Sequence, residues 1–554
     1  MNGVALLTAL QQIHWAINQK TIMATITKLP DGIERLPITK WENGHQNFVH
    51  NFKENASFKL RIPSSQSSNP YLDTTKNFQW LIQYAIDNNI QMRALGNGWS
   101  FSEVAVCEGG LVDTKALRLS YNLKNSFVAP GYLQKGKSAG DLFFVECGMS
   151  VLDVNEKLEL NSNPKRSLKA SGASNGQTIA GCTSTGTHGS AFNVGAVHDS
   201  IVGLHIVVSP QRHVWIEKES NPVASDEFIT WLGAEPIRND DMFNAAVVSF
   251  GSFGFIHGIL IETEPIFLLE QFRAGDIVYD DDLKPAMNHL DFSNILDRLP
   301  APPNAAGKEL YHFEILVNPQ MFEPGDPAKG VFFKTMYKTS YREDYTKIPR
   351  DDKGFTYGDD LLGVVQTIID QLGPGLSSML VPGLVNKLFP LAFKSTESMT
   401  GTLGETFSNT KFRGKAGSAA IGIHTSNAST VVEEIVKINK ENPFPGALAL
   451  RYVKGTQALL GFTHFDKTCI LELDGVDSQL SRTFFKKVWG RLEELSIPYT
   501  LHWGKINFNL SPELLQKMYG DNLTKWKACR KSLLSDEAQK VFTNDFMIKC
   551  GLTV

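Results

Sequence analysis

In 554 residues there are only six cysteines, Cys107, Cys147, Cys182, Cys469, Cys529 and Cys550. None forms a CxxC pair or stands at a zinc-ligand spacing from histidine, so no metal site is expected and a reducing, cytoplasmic setting is. Long runs of Lys or Arg are absent and the formal net charge is −4; the positive footprint of a nucleic-acid binder is therefore missing, and a small-molecule substrate is expected. Neither GxGxxG nor GxxxxGK[ST] occurs, which removes support for the two commonest phosphate-binding turns. Uninterrupted apolar runs are also scarce. The stretch Leu376–Phe393 is broken by Pro382, Lys387 and Pro390 and is marginal in length for a membrane span. It is expected to be a buried or lid segment of a soluble domain, the alternative being a lid that contacts a membrane or covers a lipophilic substrate. The first twenty residues have apolar positions at helical intervals but no basic leader and no clear cleavage site, and are expected to form a surface helix or extension.

What is present is the balance of an ordinary globular protein, 42% hydrophobic and 20% charged. The length exceeds what one simple core supports, roughly 250–300 residues, so two domains are expected. Phe78, Leu81, Ile82, Ala85 and Ile86 recur at three- and four-residue steps, predicting a helix over 77–90 capped from Asp73, Thr74 or Thr75. A short strand over 91–95 follows and breaks at Gly96-Asn97-Gly98. Strands are expected near 110–113, 142–147, 201–209 and 259–261, with a helical pattern through Val151–Leu158. The texture changes near 271, where a domain boundary is placed. Further on, Phe485, Val488, Trp489, Leu492 and Leu495 mark an amphipathic helix.

Two segments are suited to a large polar ligand. Gly96-Asn97-Gly98-Trp99-Ser100 offers successive backbone N–H groups to an anionic diphosphate, although tight turns of any kind use glycine. Ala173 to Ser190 is dense in glycine, hydroxyls and amides without being charged. Together with Phe250–Gly254 and with His502-Trp503-Gly504-Lys505, the Gly96 turn and the run Ser184-Thr185-Gly186-Thr187-His188-Gly189-Ser190 resemble the aldonolactone and alditol oxidase branch of the vanillyl-alcohol-oxidase/PCMH flavoproteins. The likeness extends from about Trp41 to Leu552.

That resemblance implies an α+β protein with a two-subdomain PCMH-type FAD-binding domain and an α/β cap (substrate) domain with an antiparallel sheet. Its expected limits are an N-terminal extension at 1–35, the FAD-binding domain at 36–270, the cap at 271–495 and a C-terminal segment, 496–554, returning to the FAD site. It also implies cofactor contacts from Gly96, Asn97, Gly98, Trp99, Ser100, Gly172, Thr178, Gly181, Ser184, Thr187, His188, Gly254 and Gly258. Lys505 is implied near the pyrimidine edge of the flavin, where a fixed ammonium stabilises the charge of the reduced ring. His188 is expected to hydrogen-bond within its loop. The position implied to control oxygen entry is Gly172, whose missing side chain favours O2 as acceptor.

The chain departs from the family twice. Many relatives carry a flavin-linking histidine after the glycine turn; this chain has Trp99, so dissociable, non-covalent FAD is expected. Relatives also place a glutamate two residues before Arg451, where Ala449 stands here. Strand alternation puts Ala449 and Arg451 on the face opposite Leu448, Leu450 and Tyr452. On a second strand, His312 and Glu314 share a face opposite Phe313, Ile315 and Val317, with a solvated position as the alternative. Arg451 is expected to orient a substrate oxygen, with His502 and Glu314 as candidate bases. The implied substrate is a sugar lactone, polyol or related alcohol; a sterol-like alcohol, a flavin protein with little oxidase activity and a cofactor-free module are the alternatives.

Overall fold

The computed structural model describes residues 29–64, 68–275, 277–305, 308–323, 325–326, 330–350, 380–392, 398–412 and 414–553. The expected N-terminal helix lies outside them.

Three main sheets organise the described chain. The first has the order β1 (Ile33–Arg35), β2 (Phe58–Leu60), β4 (Gly110–Asp113), β3 (Met92–Leu95). The second runs β9 (Glu235–Arg238), β8 (His213–Glu217), β7 (Ile201–Val207), β10 (Phe255–Glu262), β6 (Leu142–Glu146), β5 (Ser120–Asn122). The third and largest has eight strands, in the order β14 (Met399–Gly401), β11 (Phe267–Ala274), β13 (Val331–Ser340), β12 (Glu309–Val317), β16 (Gly446–Lys454), β17 (Lys467–Val476), β15 (Ala416–His424), β18 (Tyr499–Leu501). All its pairings are antiparallel. The expected boundary at 271 therefore falls inside β11, and the sheet runs past 495 to include β18.

Helix α1 (Pro70–Asp87) starts earlier than its apolar spacing suggests. Asn69 caps it through an Oδ1 that accepts the Leu72 N–H at 3.1 Å, and Pro70, with no N–H to satisfy, fits the first turn. Asp73, Thr74 and Thr75, the expected caps, lie inside the helix; Thr74 and Thr75 return their hydroxyls to the carbonyls of Pro70 and Tyr71. The helix buries Phe78, Leu81, Ile82 and Ala85, with Phe78 packed 5.1 Å from the ring of Phe255 on the second sheet.

The eight-stranded sheet has two unlike faces because its side chains alternate. Leu448, Leu450, Tyr452, Leu471 and Leu473 belong to the main core with Val432, Ile435, Phe485 and Val488 of α4 (Ala428–Glu441) and α5 (Gln479–Glu494). Arg451, Glu472 and Asp474 project from the other face. At one end that face is closed by α3 (Val381–Ala392), whose Val381, Val385, Leu388 and Phe389 pack on Leu316, Phe332, Ala447 and Ala449. In the described part of the interrupted apolar segment, α3 thus buries one face; Leu376–Met379 and Phe393 lie outside the described residues. No helix among the described residues is long and apolar enough to cross a membrane.

After β18 the chain returns to its first half. Phe101 N–H donates to Gly504 O at 2.8 Å, Ser102 Oγ to Trp503 O at 2.6 Å, and Trp526 Nε1 to Val248 O at 3.2 Å. All six cysteines are free thiols.

Candidate active site

Between the first two sheets and the polar face of the third lies a cleft with about 1460 Å3 of empty space, part of it open to solvent. The site residues expected from the sequence divide as follows. The turn Gly96–Ser100, Gly172, Thr178, Gly181, Ser184, Thr187, His188, Gly254, Arg451, His502 and Lys505 all face the cleft. Gly258 and Glu314 do not.

The turn after β3 is held open by its glycines. Gly98 has φ +70°, and a Cβ at Gly96 would overlap the Thr178 hydroxyl, which caps α2 (Ile179–Thr185) by accepting the Gly181 N–H at 3.3 Å. Within the described residues the backbone N–H groups of Asn97 to Ser100 make no hydrogen bond, so an acceptor-rich ligand such as a diphosphate would satisfy them. Gln177 Oε1, also on the cleft, is a buried acceptor without a partner among the described residues. Trp99 packs on Gly176 and on Phe412, with ring centroids 4.7 Å apart. An extended, polar, diphosphate-bearing dinucleotide fits this lining: close backbone at one end, unsatisfied polar groups along it, and fixed cations at the other.

The charged end is built on the eight-stranded sheet and the turn after β18. Arg451 Nε donates to Glu314 Oε1 at 2.9 Å and its Nη1 to Glu472 Oε1 at 3.1 Å, leaving Nη2 for a ligand. Lys505 Nζ donates to Ser418 Oγ at 2.7 Å, and Ser418 in turn donates to Asp474. Lys505 Nζ also sits 3.8 Å from Asp474 Oδ1 and 5.1 Å from the centre of the Phe101 ring. His188 Nε2 lies 3.4 Å from Glu472 Oε1, and its Nδ1 lies 3.1 Å from Gly189 O.

Burial and charge pull these groups in opposite directions. Burial pushes the Glu472 carboxyl up, but Arg451, Lys505 and His188 together hold it down at about 2. For Asp474 burial again raises the value; Lys505 opposes it, yet the charge of Glu472 helps leave it at about 6. Burial lowers His188 to about 4 against the pull of Glu472.

Three expectations need correction. Gly258 sits in β10, where its Cα faces Phe144 and the Tyr71 hydroxyl rather than the cleft. Glu314 is neither solvated nor a base in the cleft: it is 2% exposed, bound by Arg451, and 3.2 Å from His312 Nε2. Burial tends to raise its carboxyl, but Arg451 and Lys334 overcome this and hold it below the usual carboxylate range. His502 faces the cleft, but its Nδ1 accepts the Gly504 N–H at 2.9 Å, so a neutral ring carries its proton on Nε2 and has no free lone pair to take another. Burial, with His188 and Lys505 nearby, keeps that ring neutral far below its ordinary range. The carboxylates that do line the cleft, Glu472 and Asp474, were not singled out from the sequence. Their signal was two acids at a spacing of two inside the apolar strand Cys469-Ile470-Leu471-Glu472-Leu473-Asp474.

No family model matches the chain. The putative D-arabinono-1,4-lactone oxidase of Neurospora crassa is 30% identical over 135 residues, covering 24% of this chain and 20% of that protein. The L-gulono-1,4-lactone dehydrogenase of Mycobacterium tuberculosis is 21% identical over 473 residues, 84% of this chain and 91% of that protein. Among solved structures, cholesterol oxidase from B. sterolicum superposes with a TM-score of 0.64 at 14% identity, over 95% of this chain and 99% of the other. The mixed helix-and-sheet fold is therefore shared with that oxidase across nearly the whole length of both chains.

Proposed function

We propose that this chain, similar to the lactone oxidases and dehydrogenases above, is an FAD-dependent oxidoreductase that oxidises a CH–OH group, with O2 as the acceptor. One observation carries this: the Gly96–Ser100 turn, the loop from Gly172 to His188 and Lys505, far apart in sequence, face a single cleft. Residues 36–270 and 496–554 would hold FAD, and the intervening segment would supply the substrate wall.

Bound FAD supplies a two-electron hydride acceptor. The residues of the chain do the rest. Asn97 to Ser100 offer N–H groups to a diphosphate. Lys505, held in place by Ser418, sets a positive charge where the reduced ring needs one. Arg451, fixed on two sides by carboxylates, presents Nη2 to the substrate oxygen. Trp99 has no atom able to form the linkage a histidine makes, so the FAD is non-covalent.

The substrate is a sugar lactone, a polyol or a related alcohol. A lipophilic alcohol is the second reading, favoured by α3, which lays Val385 and Phe389 on Ala449, two residues along the strand from Arg451. The deciding experiment is the visible spectrum of the purified protein after incubation with FAD, before and after acid precipitation, followed by exposure to lactones, polyols and sterols under argon. Yellow supernatant over a white pellet, and bleaching by one substrate class, are expected. Protein that stays colourless after FAD is added would refute the assignment.

A further inference from the structure

The cleft holds a charged network whose proton count does not close. Glu472 and Asp474 stand two apart on β17, on one face, with their carboxyl groups within hydrogen-bond reach of each other. Arg451 on β16 and His188 meet Glu472; Ser418 on β15 and Lys505 meet Asp474; His502 lies beyond, its ring centre 5.6 Å from that of His188. Around Arg451 the outer groups are Glu314, His312 and Lys334.

His188 exposes the difficulty. A neutral imidazole has one N–H, yet its two nitrogens face two acceptors, Gly189 O and Glu472 Oε1. If Nδ1 donates to the carbonyl, the lone pair of Nε2 points at the carboxyl of Glu472. A charged ring would satisfy both contacts, but burial disfavours it. Arg451 is then the donor that keeps Glu472 ionised, and Asp474, two residues along the strand, is the carboxyl of the pair that gains and loses a proton.

We propose that Glu472 and Asp474 form one proton-holding pair, in which Asp474 takes the hydroxyl proton of the alcohol while Glu472 shares it and anchors Arg451. The inference rests on the alcohol-oxidation function above. The O–H bond of the substrate breaks with its electron pair remaining on oxygen, and a new O–H bond forms at Asp474. As the carbonyl forms, the C–H bond releases its two electrons as hydride to the flavin of that assignment. Two like charges side by side split their titrations, so one carboxyl stays ionised at all working pH values and its neighbour titrates close to neutrality. Glu472 and Asp474 occupy these two roles, with Asp474 at about 6.

The test is an infrared pH titration of the full-length protein, run beside stopped-flow reduction of its flavin under argon by whichever alcohol bleaches it. In the unmodified protein a buried carboxylic-acid C=O band should grow as pH falls from 8 to 5, with its midpoint near 6. Asp474→Asn should abolish the band, Glu472→Gln should move its midpoint down by removing a like charge, and Ser418→Ala should move it up by removing a donor. Reduction should speed up as pH rises through that midpoint. Asp474→Asn should slow it about 10²–10⁴-fold and flatten the profile, while Glu472→Gln should keep a rising limb at lower pH. An unchanged band in Asp474→Asn, or wild-type reduction rates in that variant, would overturn the proposal. If no alcohol bleaches the wild-type flavin, it is the oxidation assignment that fails, and the infrared titration still decides whether the pair holds a proton. Circular dichroism of each variant separates these effects from misfolding.

Discussion

Replacing Arg451 with methionine is the sharpest test of how the polar face of the large sheet is held. The guanidinium is buried between Glu314 and Glu472, whose side chains are 2% and 3% exposed. Removing the cation leaves two carboxylates out of water, with Lys334 at 3.9 Å from Glu314 and Lys505 as the remaining positive charges near them. Breaking a buried pair in this way costs about 3–5 kcal/mol. The sign of the pH dependence follows from the same contacts. In the wild type the carboxyl of Glu472 is held at about 2, below its unfolded value of roughly 4.3, so its contribution is complete above that value and is lost as pH falls toward 2. Without Arg451, burial is opposed less and both carboxyls rise above their unfolded values. They then destabilise the fold at pH 7 and recover it on protonation. Urea denaturation of Arg451→Met at pH 8, 7, 6 and 5 should show the largest deficit at pH 8 and a shrinking one toward pH 5. The triple variant Glu314→Gln, Arg451→Met, Glu472→Gln should regain most of the loss, because no charge is left unpaired. A deficit below about 1 kcal/mol, or one equal at all four pH values, would refute the account.

Other predictions follow from the same geometry. Lys505→Met should leave the circular dichroism unchanged but slow anaerobic flavin reduction by about 10²–10³-fold, as expected when a preorganised charge is removed from a developing anion. Gly96→Ala should force a Cβ against the Thr178 hydroxyl; overpacking of about 1–3 kcal/mol should appear as weaker FAD retention on gel filtration. His188, His205, His257, His312 and His502 are all lowered by burial. Each is neutral in the fold while its unfolded counterpart charges below about 6.5, so stability should fall as pH drops from 7 to 5, by about 1.4 kcal/mol per pH unit per histidine well below that value. The raised carboxyl of Asp474 opposes this with one group, and a flat denaturation midpoint from pH 7 to 5 would contradict it. Tyr71→Phe removes the hydroxyl 2.7 Å from His205 Nδ1 and should cost about 1–3 kcal/mol in urea midpoint titrations.

Much of the local structure was legible because it depends on near neighbours. The apolar spacing of Phe78 to Ile86 marked a helix, and the alternation in Tyr311–Val317 and Ala447–Val453 marked strands and the faces of Arg451 and Glu314. Ends were misplaced where a particular side chain mattered: Asn69 caps α1 ahead of Asp73, the first of the expected caps, and Pro70 opens its first turn. The short helix Ile179–Thr185 was hidden in a run of small polar residues whose propensities are weak.

The sequence alone determined which segments have close-approach backbone, where cations and acids alternate on strands, and that tryptophan follows the glycine turn and alanine stands two residues before Arg451. Only the tertiary structure decided which of those groups face the cleft. Glu314 and Glu472 are equally acidic in isolation, but they come from strands on opposite sides of β16, one 137 residues from Arg451 and the other 21, and cross-strand registry puts only Glu472 beside the ligand space. The titration of Asp474 is likewise a property of that assembly, because burial and neighbouring charge act through space and are not written in the order of residues along the chain.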